Sequence, residues 1–367
     1  MKIGFDASDL CTGRADGTTR YTAEILRRLP LLDSGIHWDV YGPCTAPSSV
    51  GKEATWHGSP FPGAWTQARF PFELFRDKPN ILFMPIQQLP IFRPRKMKTV
   101  AVMHDLAFHE FPQQFRYKDW LLLHTFSAQV AHEADAIIAV SQATKDDIKT
   151  YYGREENVYV VHHGIDHERF RVFSDSEQQI GLQKLQEKYP ALKSRYILFV
   201  GQIQPRKNIM RLVEAFEQMD DTGLQLVIAG GHGWNNREIY KRIEKSSVKE
   251  SIVVTGAVSD ELLPVLYANA QVFVLPSLQE GFGIPLLEAA ACGTPVVTSN
   301  RSSMKEVMQD AGILINPEDI SSIKEGIQHA LAHREEFSTK SIARARQFSW
   351  DRAADETLRI LKEVSDV

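Results

Sequence analysis

Short apolar runs alternate with segments of helical periodicity along most of the chain. This alternation is typical of parallel α/β layers, in which apolar strands are covered by amphipathic helices. The pattern predicts helices over residues 18–29, 117–133, 142–151, 177–189 and 350–364. It predicts strands over residues 2–6, 37–42, 81–84, 99–103, 136–140, 157–161, 196–201, 224–229, 252–255, 271–275, 295–298 and 312–315. We therefore expect an α/β fold with two doubly wound parallel sheets.

The alternation is interrupted between residues 167 and 194, where an irregular stretch is followed by a polar segment. A chain of 367 residues is long enough for two domains, each with its own core. We expect the first domain at residues 1–175 and the second at residues 176–348. Residues 349–367 are predicted to form a C-terminal helix.

Composition excludes several classes of protein. Hydrophobic residues make up 43% and charged residues 24% of the chain, as in ordinary soluble proteins. The net charge is −4 and neither half is basic, which argues against nucleic acid as the main partner. The chain opens on a predicted strand without a signal-peptide core, and no apolar stretch approaches the length of a membrane span. We expect a cytoplasmic protein, or one peripheral at the inner face of the cell membrane.

The segment Arg93–Lys98 is the one dense basic run. It is interpreted first as a solvated loop before a strand, and the alternative is contact with anionic lipid or a lipid-linked acceptor. The cysteines, Cys11, Cys44 and Cys292, lack metal-binding spacing and cannot all pair. We interpret all three as small buried hydrophobic residues in a reducing compartment. The adjacent His162 and His163 have no carboxylate or cysteine spaced to share a metal, so a structural role is expected.

The segment Glu280–Glu288 carries the strongest chemical signal. Glu280 stands on a loop after an apolar strand, and a Gly-Phe-Gly turn follows it. Pro285 then marks the first turn of a predicted helix that contains Glu288. The amides at such a helix start suit a phosphate group. Two glutamates on either side of those amides suit a phosphate between two hydroxyl-bearing sugars, as in a nucleotide sugar.

The segment Gly201–Asn208 also lies where a buried strand ends and a helix begins. Ligands of open α/β sheets bind at such carboxyl ends. Its Arg206 and Lys207 can neutralise a diphosphate through charge-assisted hydrogen bonds. The chain has no Asp-x-Asp triplet, so we expect no metal and no other cofactor.

Further candidates lie at other loops. The glycine-rich stretch before Tyr21 contains Gly17 and does not match the dinucleotide fingerprint, which disfavours a nicotinamide dehydrogenase. His104 stands at the carboxyl end of an apolar strand. Asp105 follows it, and its alternative roles are to orient His104, to bind a ligand or to cap a turn. The loop with Val258 is placed to present backbone groups to a base. Ser303-x-x-Glu306 is predicted to be a capping box.

Together these segments resemble the retaining GT-B glycosyltransferases of family 4 (group 1). Glu280 and Glu288 look like the family's E-x7-E signature, with Gly293-Thr-Pro-Val-Val297 following. The resemblance extends from Gly17 to Phe348-Ser349-Trp350 and is nearest to bacterial mannosyltransferases of O-antigen and exopolysaccharide assembly. It implies two Rossmann-like domains facing across a cleft, the first binding acceptor and the second nucleotide sugar. It also implies a terminal helix that packs toward the N-terminal domain.

The resemblance implies a role for each matching residue. The catalytic residues would be Glu280, His104, Lys207 and Arg206. The donor-binding residues would be Gly17, Glu288, Gly281, Phe282, Gly283, Gly201 and Val258. Asp105 would bind the acceptor. Many relatives carry an arginine where this chain has Gln202, and whether Arg206 replaces it or points to solvent is left open.

The resulting prediction is a retaining hexosyltransferase whose co-substrate is a nucleoside-diphosphate sugar. The acceptor is expected to be a hydroxyl of a glycan or a lipid-linked sugar. GDP-mannose is the expected donor, and a UDP-sugar would use the same residues. The alternatives are a nucleotide-sugar epimerase on the same architecture and a non-enzymatic binding protein. Retention by double displacement and same-face attack within an ion pair both remain open.

Overall fold

The computed structural model describes residues 1–13, 16–61 and 63–366. Its strands are largely buried, as expected of sheets covered on both faces. They are β1 (Lys2–Asp6), β2 (His37–Gly42), β3 (Ala54–Gly58), β4 (Ile81–Met84), β5 (Lys98–Met103), β6 (Ala136–Ala139), β7 (Val158–Val160), β8 (Tyr196–Val200), β9 (Gln225–Ala229), β10 (Ile252–Gly256), β11 (Val272–Leu275), β12 (Val296–Ser299) and β13 (Ile313–Ile315).

Helices occupy the connections between these strands and the end of the chain. They are α1 (Gly17–Leu32), α2 (Trp65–Ala68), α3 (Phe70–Asp77), α4 (Ala107–Glu110), α5 (Tyr117–Glu133), α6 (Gln142–Tyr152), α7 (Asp175–Lys188), α8 (Ile209–Glu217), α9 (Arg237–Glu244), α10 (Leu263–Ala268), α11 (Ile284–Ala291), α12 (Ser302–Met308), α13 (Ile320–Ala332), α14 (Arg334–Ala345) and α15 (Trp350–Asp366).

The strands form two separate parallel sheets. The first has seven strands in the order β3-β2-β1-β4-β5-β6-β7, and the second has six in the order β10-β9-β8-β11-β12-β13. Each sheet therefore reverses its direction of winding once, between β1 and β4 in the first and between β8 and β11 in the second. Such switch points are where ligands bind in open α/β sheets, because the loops that leave the two central strands diverge there.

The predicted strands are all present, with ends that agree to within one residue. The prediction missed β3, which pairs with β2 at the edge of the first sheet. Its sequence Ala-Thr-Trp-His-Gly lacks an apolar run because an edge strand is only partly covered. The sequence pattern therefore identified the strands that are apolar runs and missed the one that is not.

The chain divides into two compact units. Unit 1 comprises Met1–Pro112, Arg116–Gly164 and the residues from Ser349 onward; unit 2 comprises Gln113–Phe115 and Ile165–Phe348. Apart from the short segment Gln113–Phe115, the chain passes from unit 1 to unit 2 after Gly164. The terminal helix α15 lies in unit 1, where it packs along α1. Arg28 of α1 also forms an ion pair with Asp351 of α15, with 2.6 Å between Nε and Oδ1.

Gly164 is the last residue of unit 1 before the chain enters unit 2. It packs against the segment on which the chain re-enters unit 1. A Cβ atom at this position would lie 2.0 Å from the backbone nitrogen of Trp350 and 2.3 Å from the carbonyl carbon of Ser349. Only a glycine leaves room for the two backbones at this distance. Within unit 2, His167 Nε2 lies 2.9 Å from the carbonyl oxygen of Phe348 and donates to it.

The cysteine prediction was wrong for two of the three residues. Cys11 and Cys44 form a disulfide with 5.6 Å between their Cα atoms, and only Cys292 is a free, buried thiol. The two bonded cysteines follow β1 and β2, which are neighbouring parallel strands, so their sequence separation concealed their proximity. The cysteines therefore give no support to a reducing compartment. Within the described ranges, no helix combines the length and apolarity that crossing a membrane requires.

We predict that Gly164→Ala destabilises the protein by about 1–3 kcal/mol, because the added methyl group overpacks a backbone contact. Gly231→Ala is the matched control, since a Cβ at Gly231 would meet nothing within 4 Å. Urea unfolding of both variants and the parent would measure the effect. An equal midpoint for Gly164→Ala and the parent would show that the two backbone segments are not tightly packed.

Candidate functional site

The switch point of the second sheet gathers the strongest candidates. β8 and β11 are paired in parallel, so the loops that follow them emerge side by side at the carboxyl edge. The first loop contains Lys207 and the second Glu280. The loops are joined directly, because the backbone N–H of Leu278 donates to the carbonyl oxygen of Arg206 at 2.9 Å. Asn208 also donates from Nδ2 to the carbonyl oxygen of Pro276 at 3.0 Å.

Glu280 is held by two cations and a hydroxyl. Lys207 Nζ lies 2.6 Å from Glu280 Oε1, and Arg206 Nη1 lies 3.3 Å from Oε2. The hydroxyl of Ser277 donates to Oε1 at 2.6 Å. Arg206 donates in addition to the carbonyl oxygen of Gln279. We refer to Glu280, Lys207, Arg206 and Ser277 as the Glu280 cluster. Arg206 thus points into the cluster and not to solvent, while Gln202 is exposed.

Electrostatics keep Glu280 ionised. Burial raises the pKa of its carboxyl, but Lys207 and Arg206 outweigh burial and lower the pKa to about 2. The carboxylate is therefore an acceptor of hydrogen bonds at any physiological pH and cannot act as a proton donor. Since two cations surround one carboxylate, the cluster keeps one net positive charge, which favours an anionic ligand.

Two serine hydroxyls bind the backbone of Glu280. The hydroxyls of Ser302 and Ser303, at the start of α12, donate to the carbonyl oxygen of Glu280 at 2.7 and 2.9 Å. The predicted capping box at Ser303 was therefore wrong: Arg301 is the N-cap of α12 and no side chain caps it. Because α12 follows β12, the neighbour of β11, its first residues reach the same edge of the sheet. That adjacency is the signal that sequence reasoning overlooked.

The turn after Glu280 leads into α11 as predicted. Gly283 has φ of +90°, and a Cβ there would lie 2.9 Å from the Leu286 side chain, so only glycine suits the position. Phe282 is buried against Phe348, with 5.9 Å between ring centroids. Pro285 stands in the first turn of the helix. The backbone of Gly281 and its neighbours is thereby fixed beside the cluster.

Glu288 lies one turn into α11 and is buried, with 2% of its surface exposed. The hydroxyl of Tyr267 on α10 donates to Glu288 Oε2 at 2.8 Å. Tyr267 is a partner that no local sequence pattern indicates, because the two residues lie on different helices. The carboxylate is satisfied within unit 2, and its binding of a ribose stays a prediction.

Gly201 directly follows β8 at the same edge. The sheet neighbour Gly230 approaches it so closely that a Cβ at Gly230 would lie 1.9 Å from the carbonyl oxygen of Gly201. This close approach aligns the loop after β8 with the loop after β9, where Ile203 and His232 form a parallel bridge. Val258 is half-buried in the loop between β10 and α10, and its predicted contact with a base is not tested by this geometry.

Unit 1 holds the remaining candidates, at the carboxyl ends of β1, β4 and β5. His104 follows β5, and its Nε2 lies 2.8 Å from the carbonyl oxygen of Pro85. A carbonyl oxygen only accepts, so Nε2 carries the proton and Nδ1 of the neutral ring is left as an acceptor. Burial lowers the pKa of His104, opposed in part by the hydrogen bond to Pro85 and by Asp105 and Asp16. The ring is therefore neutral at pH 7.

Asp105 and Gly17 stand near His104 with structural roles of their own. Asp105 Oδ1 accepts from the backbone N–H of Ala107 at 3.2 Å, which is the turn-capping alternative. Gly17 begins α1 directly after Asp16, whose carboxylate accepts from the backbone N–H of Thr19 at 3.0 Å. A carboxylate at this helix start competes with a phosphate for the same amides. Arg14 and Ala15 of the predicted glycine-rich loop lie outside the described residues.

His163 is buried beside His104 as part of the packing of unit 1. Its ring lies 5.0 Å from that of Tyr21 and 5.6 Å from that of Trp350. Burial lowers the pKa of His163 well below its ordinary value, and His104 adds to this effect. Tyr21 contacts His104 edge-on at 5.1 Å. Across residues 1–13, 16–61 and 63–366, no group of three or more His, Cys, Asp or Glu side chains could hold a metal ion.

Solved structures with this architecture cover nearly the whole chain. A sucrose-phosphate synthase from Thermosynechococcus elongatus covers 99% of it with a TM-score of 0.79 and 18% identity, and 98% of that chain is matched. For Anabaena Alr3699/HepE, solved with UDP-glucose, the match covers all of both chains with a TM-score of 0.75 and 17% identity. For WaaG, a glycosyltransferase involved in lipopolysaccharide biosynthesis, the match covers 98% of this chain and 99% of WaaG with a TM-score of 0.75 and 18% identity. The two Rossmann-like parallel sheets are therefore those of the GT-B class, as predicted.

Sequence models of two glycosyltransferase domains match most of the chain. "Glycosyltransferase Family 4" matches residues 15–169, and "Glycosyl transferases group 1" matches residues 183–348. The chain belongs to the family 4 (group 1) glycosyltransferases.

Among curated relatives are two mannosyltransferases of Escherichia coli. O-antigen chain mannosyltransferase B is 38% identical over 182 residues, which is 48% of this chain and 48% of the relative. Serotype-specific mannosyltransferase WbdA is 32% identical over 269 residues, which is 70% of this chain and 32% of the relative. The matched region thus spans about half of the first relative and about a third of the second.

We predict that Glu280 makes unfolding dependent on acid. Because its pKa is lowered to about 2 in the folded state from 4.5, its stabilising effect is complete above pH 4.5 and is lost as the pH falls toward 2. By pH 3 the loss should reach about 2 kcal/mol. In Glu280→Gln this component should be absent, so the midpoint of urea unfolding should fall less between pH 6 and pH 3 than in the parent.

Glu335→Gln is the control for this measurement, because Glu335 is an exposed glutamate of α14 in the same unit. Its acid dependence should follow that of the parent. Parallel curves for Glu280→Gln and the parent would contradict a strongly ionised Glu280.

Proposed function

We propose that the protein transfers a hexose, with retention at the anomeric carbon, from a nucleoside-diphosphate sugar to a hydroxyl of a glycan or lipid-linked acceptor. The observation that carries the proposal is the Glu280 cluster at the switch point of the second sheet. A buried carboxylate beside two cations offers acceptors for sugar hydroxyls and donors for a diphosphate within one group of side chains. Unit 2 would therefore bind the donor.

Each residue of unit 2 has a distinct task in this proposal. Lys207 and Arg206 stabilise the nucleoside diphosphate as negative charge develops on the leaving group, so no metal is required. Glu280 accepts hydrogen bonds from hydroxyls of the donor sugar, with the backbone of Gly281 and Gly283 beside it. Glu288 binds the hydroxyls of the ribose, and the bond from Tyr267 fixes the position of its carboxylate.

The retaining step is proposed to occur by same-face attack within an ion pair. A double displacement would require Glu280 as nucleophile. Both carboxylate oxygens of Glu280 already accept hydrogen bonds, Oε1 from Lys207 and Ser277 and Oε2 from Arg206, so the carboxylate is engaged before a donor binds. In same-face attack the leaving phosphate accepts the proton of the acceptor hydroxyl, and no protein base is needed.

We propose GDP-mannose as the donor. Its mannosyl group agrees with the names of both E. coli relatives described above, which are mannosyltransferases, and its GDP group follows from the family resemblance. A UDP-sugar is the second candidate, since the structurally similar HepE was solved with UDP-glucose. Contacts of Lys207 and Arg206 to a diphosphate would be the same for both donors. The discriminating contacts are those to the base, for which the loop with Val258 is the candidate.

In unit 1 we propose that His104 accepts a hydrogen bond through Nδ1 from a sugar hydroxyl. The proton on Nε2 is fixed by Pro85, which orients the ring and selects this tautomer. Asp105 is the proposed acceptor-binding residue, and Gly17 marks the loop proposed to approach the diphosphate.

Donor binding is tested by thermal unfolding in EDTA with GDP, GDP-mannose, UDP and UDP-glucose. A ligand at a hundredfold excess over its Kd stabilises the native state by about 2.7 kcal/mol. We expect a shift with the GDP ligands only. Lys207→Met should weaken binding about tenfold to a hundredfold, because one charge-assisted hydrogen bond contributes about 1.5–3 kcal/mol. Lys184→Met, at an exposed position of α7, is the control and should bind as the parent does.

A shift with UDP ligands alone would overturn the GDP-mannose donor and keep the proposed reaction class. No shift with any of the four would overturn the nucleotide-sugar site itself. Radiolabel from the sugar appearing in an acceptor product, and not in an epimerised donor, would distinguish the transferase from an epimerase.

The neutral state of His104 predicts the acid limb of the pH profile. Since burial lowers its pKa below 6.5, kcat/KM should be level at pH 7 and fall only when the pH drops below that lowered value. His104→Asn places a neutral acceptor near the position of Nδ1, so it should keep partial activity and lose this limb. His104→Ala should lose activity at every pH. An identical acid limb in His104→Asn would show that another group titrates.

A further inference from the structure

Five aromatic rings of unit 1 contact one another in succession on α4, α5 and α6. Tyr117 and Trp120 on α5 are stacked with 6.0 Å between their ring centroids, and the Trp120 ring lies 5.2 Å from that of His124. The ring of His124 lies 5.1 Å from that of His109 on α4. The His109 ring is in turn stacked on that of Tyr151 on α6 at 4.2 Å. We call Tyr117, Trp120, His124, His109 and Tyr151 the aromatic row.

The aromatic row is open to solvent along its length. At one end 76% of Tyr117 is exposed, and at the other end 38% of Tyr151 is exposed. The three rings between them are half-buried. Rings that served only to pack the three helices together would be buried, as the neighbouring Phe108 is. Grouped exposed apolar groups indicate a binding surface, whereas scattered ones do not.

Hydrogen bonds hold the middle of the aromatic row in place. Trp120 Nε1 donates to the carbonyl oxygen of Phe108 on α4 at 3.2 Å, which fastens α5 to α4. His109 Nε2 lies 2.8 Å from the hydroxyl oxygen of Tyr152 on α6. The surface is therefore formed before any ligand arrives, so little conformational entropy is lost on binding.

Charged groups of both signs flank the row. Lys118 and Asp119, both exposed, stand between Tyr117 and Trp120 in the sequence of α5. Burial, Asp147 and Glu110 raise the pKa of Tyr151, because both carboxylates are close to its ring. These groups can exchange hydrogen bonds with hydroxyls. Because the flanking charges are mixed in sign, the row favours an uncharged ligand over a phosphate or an anionic surface.

Burial and His124 lower the pKa of His109 below its ordinary value of 6.5, so its ring is uncharged at pH 7. The middle of the row is thus a neutral imidazole stacked on a phenol ring. A pyranose ring offers a face of C–H groups and a rim of hydroxyls. Such a ligand matches flat aromatic faces that are bordered by a few polar groups.

We infer that the aromatic row binds the glycan portion of the acceptor, with successive pyranose rings stacked on its exposed faces. The row begins near the proposed acceptor-binding residue: Asp105 accepts from the backbone N–H of Ala107 at the start of α4, the helix that carries His109. The acceptor is therefore an oligosaccharide that continues beyond the sugar held at Asp105. This inference rests on the proposed function and specifies its acceptor.

The experiment is calorimetric titration of the full chain, without nucleotide, with oligosaccharides of two and of five sugar residues. The probes are α-linked manno-oligosaccharides, cello-oligosaccharides and galacto-oligosaccharides. In at least one series we expect the pentasaccharide to bind at least about tenfold more tightly than the disaccharide. Tyr117→Ala should weaken pentasaccharide binding about twofold to tenfold, since one aromatic contact is lost, and should leave disaccharide binding unchanged. Tyr117→Phe keeps the ring and should bind as the parent does.

Phe72→Ala is the matched control, because Phe72 is an aromatic residue of α3 in the same unit, 68% exposed and outside the row. It should bind every oligosaccharide as the parent does. Equal affinity for both lengths in all three series, no binding at all, or an undiminished pentasaccharide affinity in Tyr117→Ala would each overturn the inference. A dimer in light scattering that Tyr117→Ala dissociates, without glycan binding, would assign the row to a second copy instead. Since no nucleotide is present, such a failure leaves the proposed donor site untouched.

Discussion

A buried carboxylate constrains the carboxyl edge of the second sheet, in unit 2. Removing an ionised glutamate from water is costly unless other charges and hydrogen bonds compensate it. Lys207, Arg206 and Ser277 provide that compensation for Glu280, and Ser302 and Ser303 satisfy its carbonyl oxygen. These partners stand on the loops after β8, β11 and β12. The need to satisfy one charge therefore fixes the relative positions of three loops before any ligand is present.

The order of the strands makes this arrangement possible. Parallel strands send their following loops to one edge, and the reversal of winding between β8 and β11 separates the helices that would otherwise cover that edge. The same geometry in unit 1 places the loops after β1, β4 and β5 beside His104, where Pro85 selects the tautomer of its ring. Each unit thus uses backbone order to position a few polar groups precisely. Preorganisation of polar groups in this way needs rigid support more than it needs many residues.

Much of this could be predicted from the sequence, because buried parallel strands are continuous apolar runs. The runs that became β8 and β11 marked Lys207 and Glu280 as strand-end residues. What failed depended on contacts between distant segments. Ser303 matched a local capping pattern, yet its hydroxyl bonds to Glu280. Cys11 and Cys44 pair because β1 and β2 are neighbours, and Tyr267 reaches Glu288 from another helix. Local periodicity carries no information about such pairs.

The contact of Gly164 with Ser349 and Trp350 has a topological consequence. Unit 1 is interrupted twice in sequence, by Gln113–Phe115 and by Ile165–Phe348, and the two ends of the longer interruption lie backbone to backbone. The long segment from Ile165 to Phe348 is therefore an insertion whose two ends lie next to each other, as the bond from His167 to Phe348 also shows. A single peptide bond from Gly164 to Ser349 would be enough to rejoin unit 1 if this segment were removed. Positions 164 and 349 are therefore the junctions at which the segment 165–348 could be exchanged for another Rossmann-like domain.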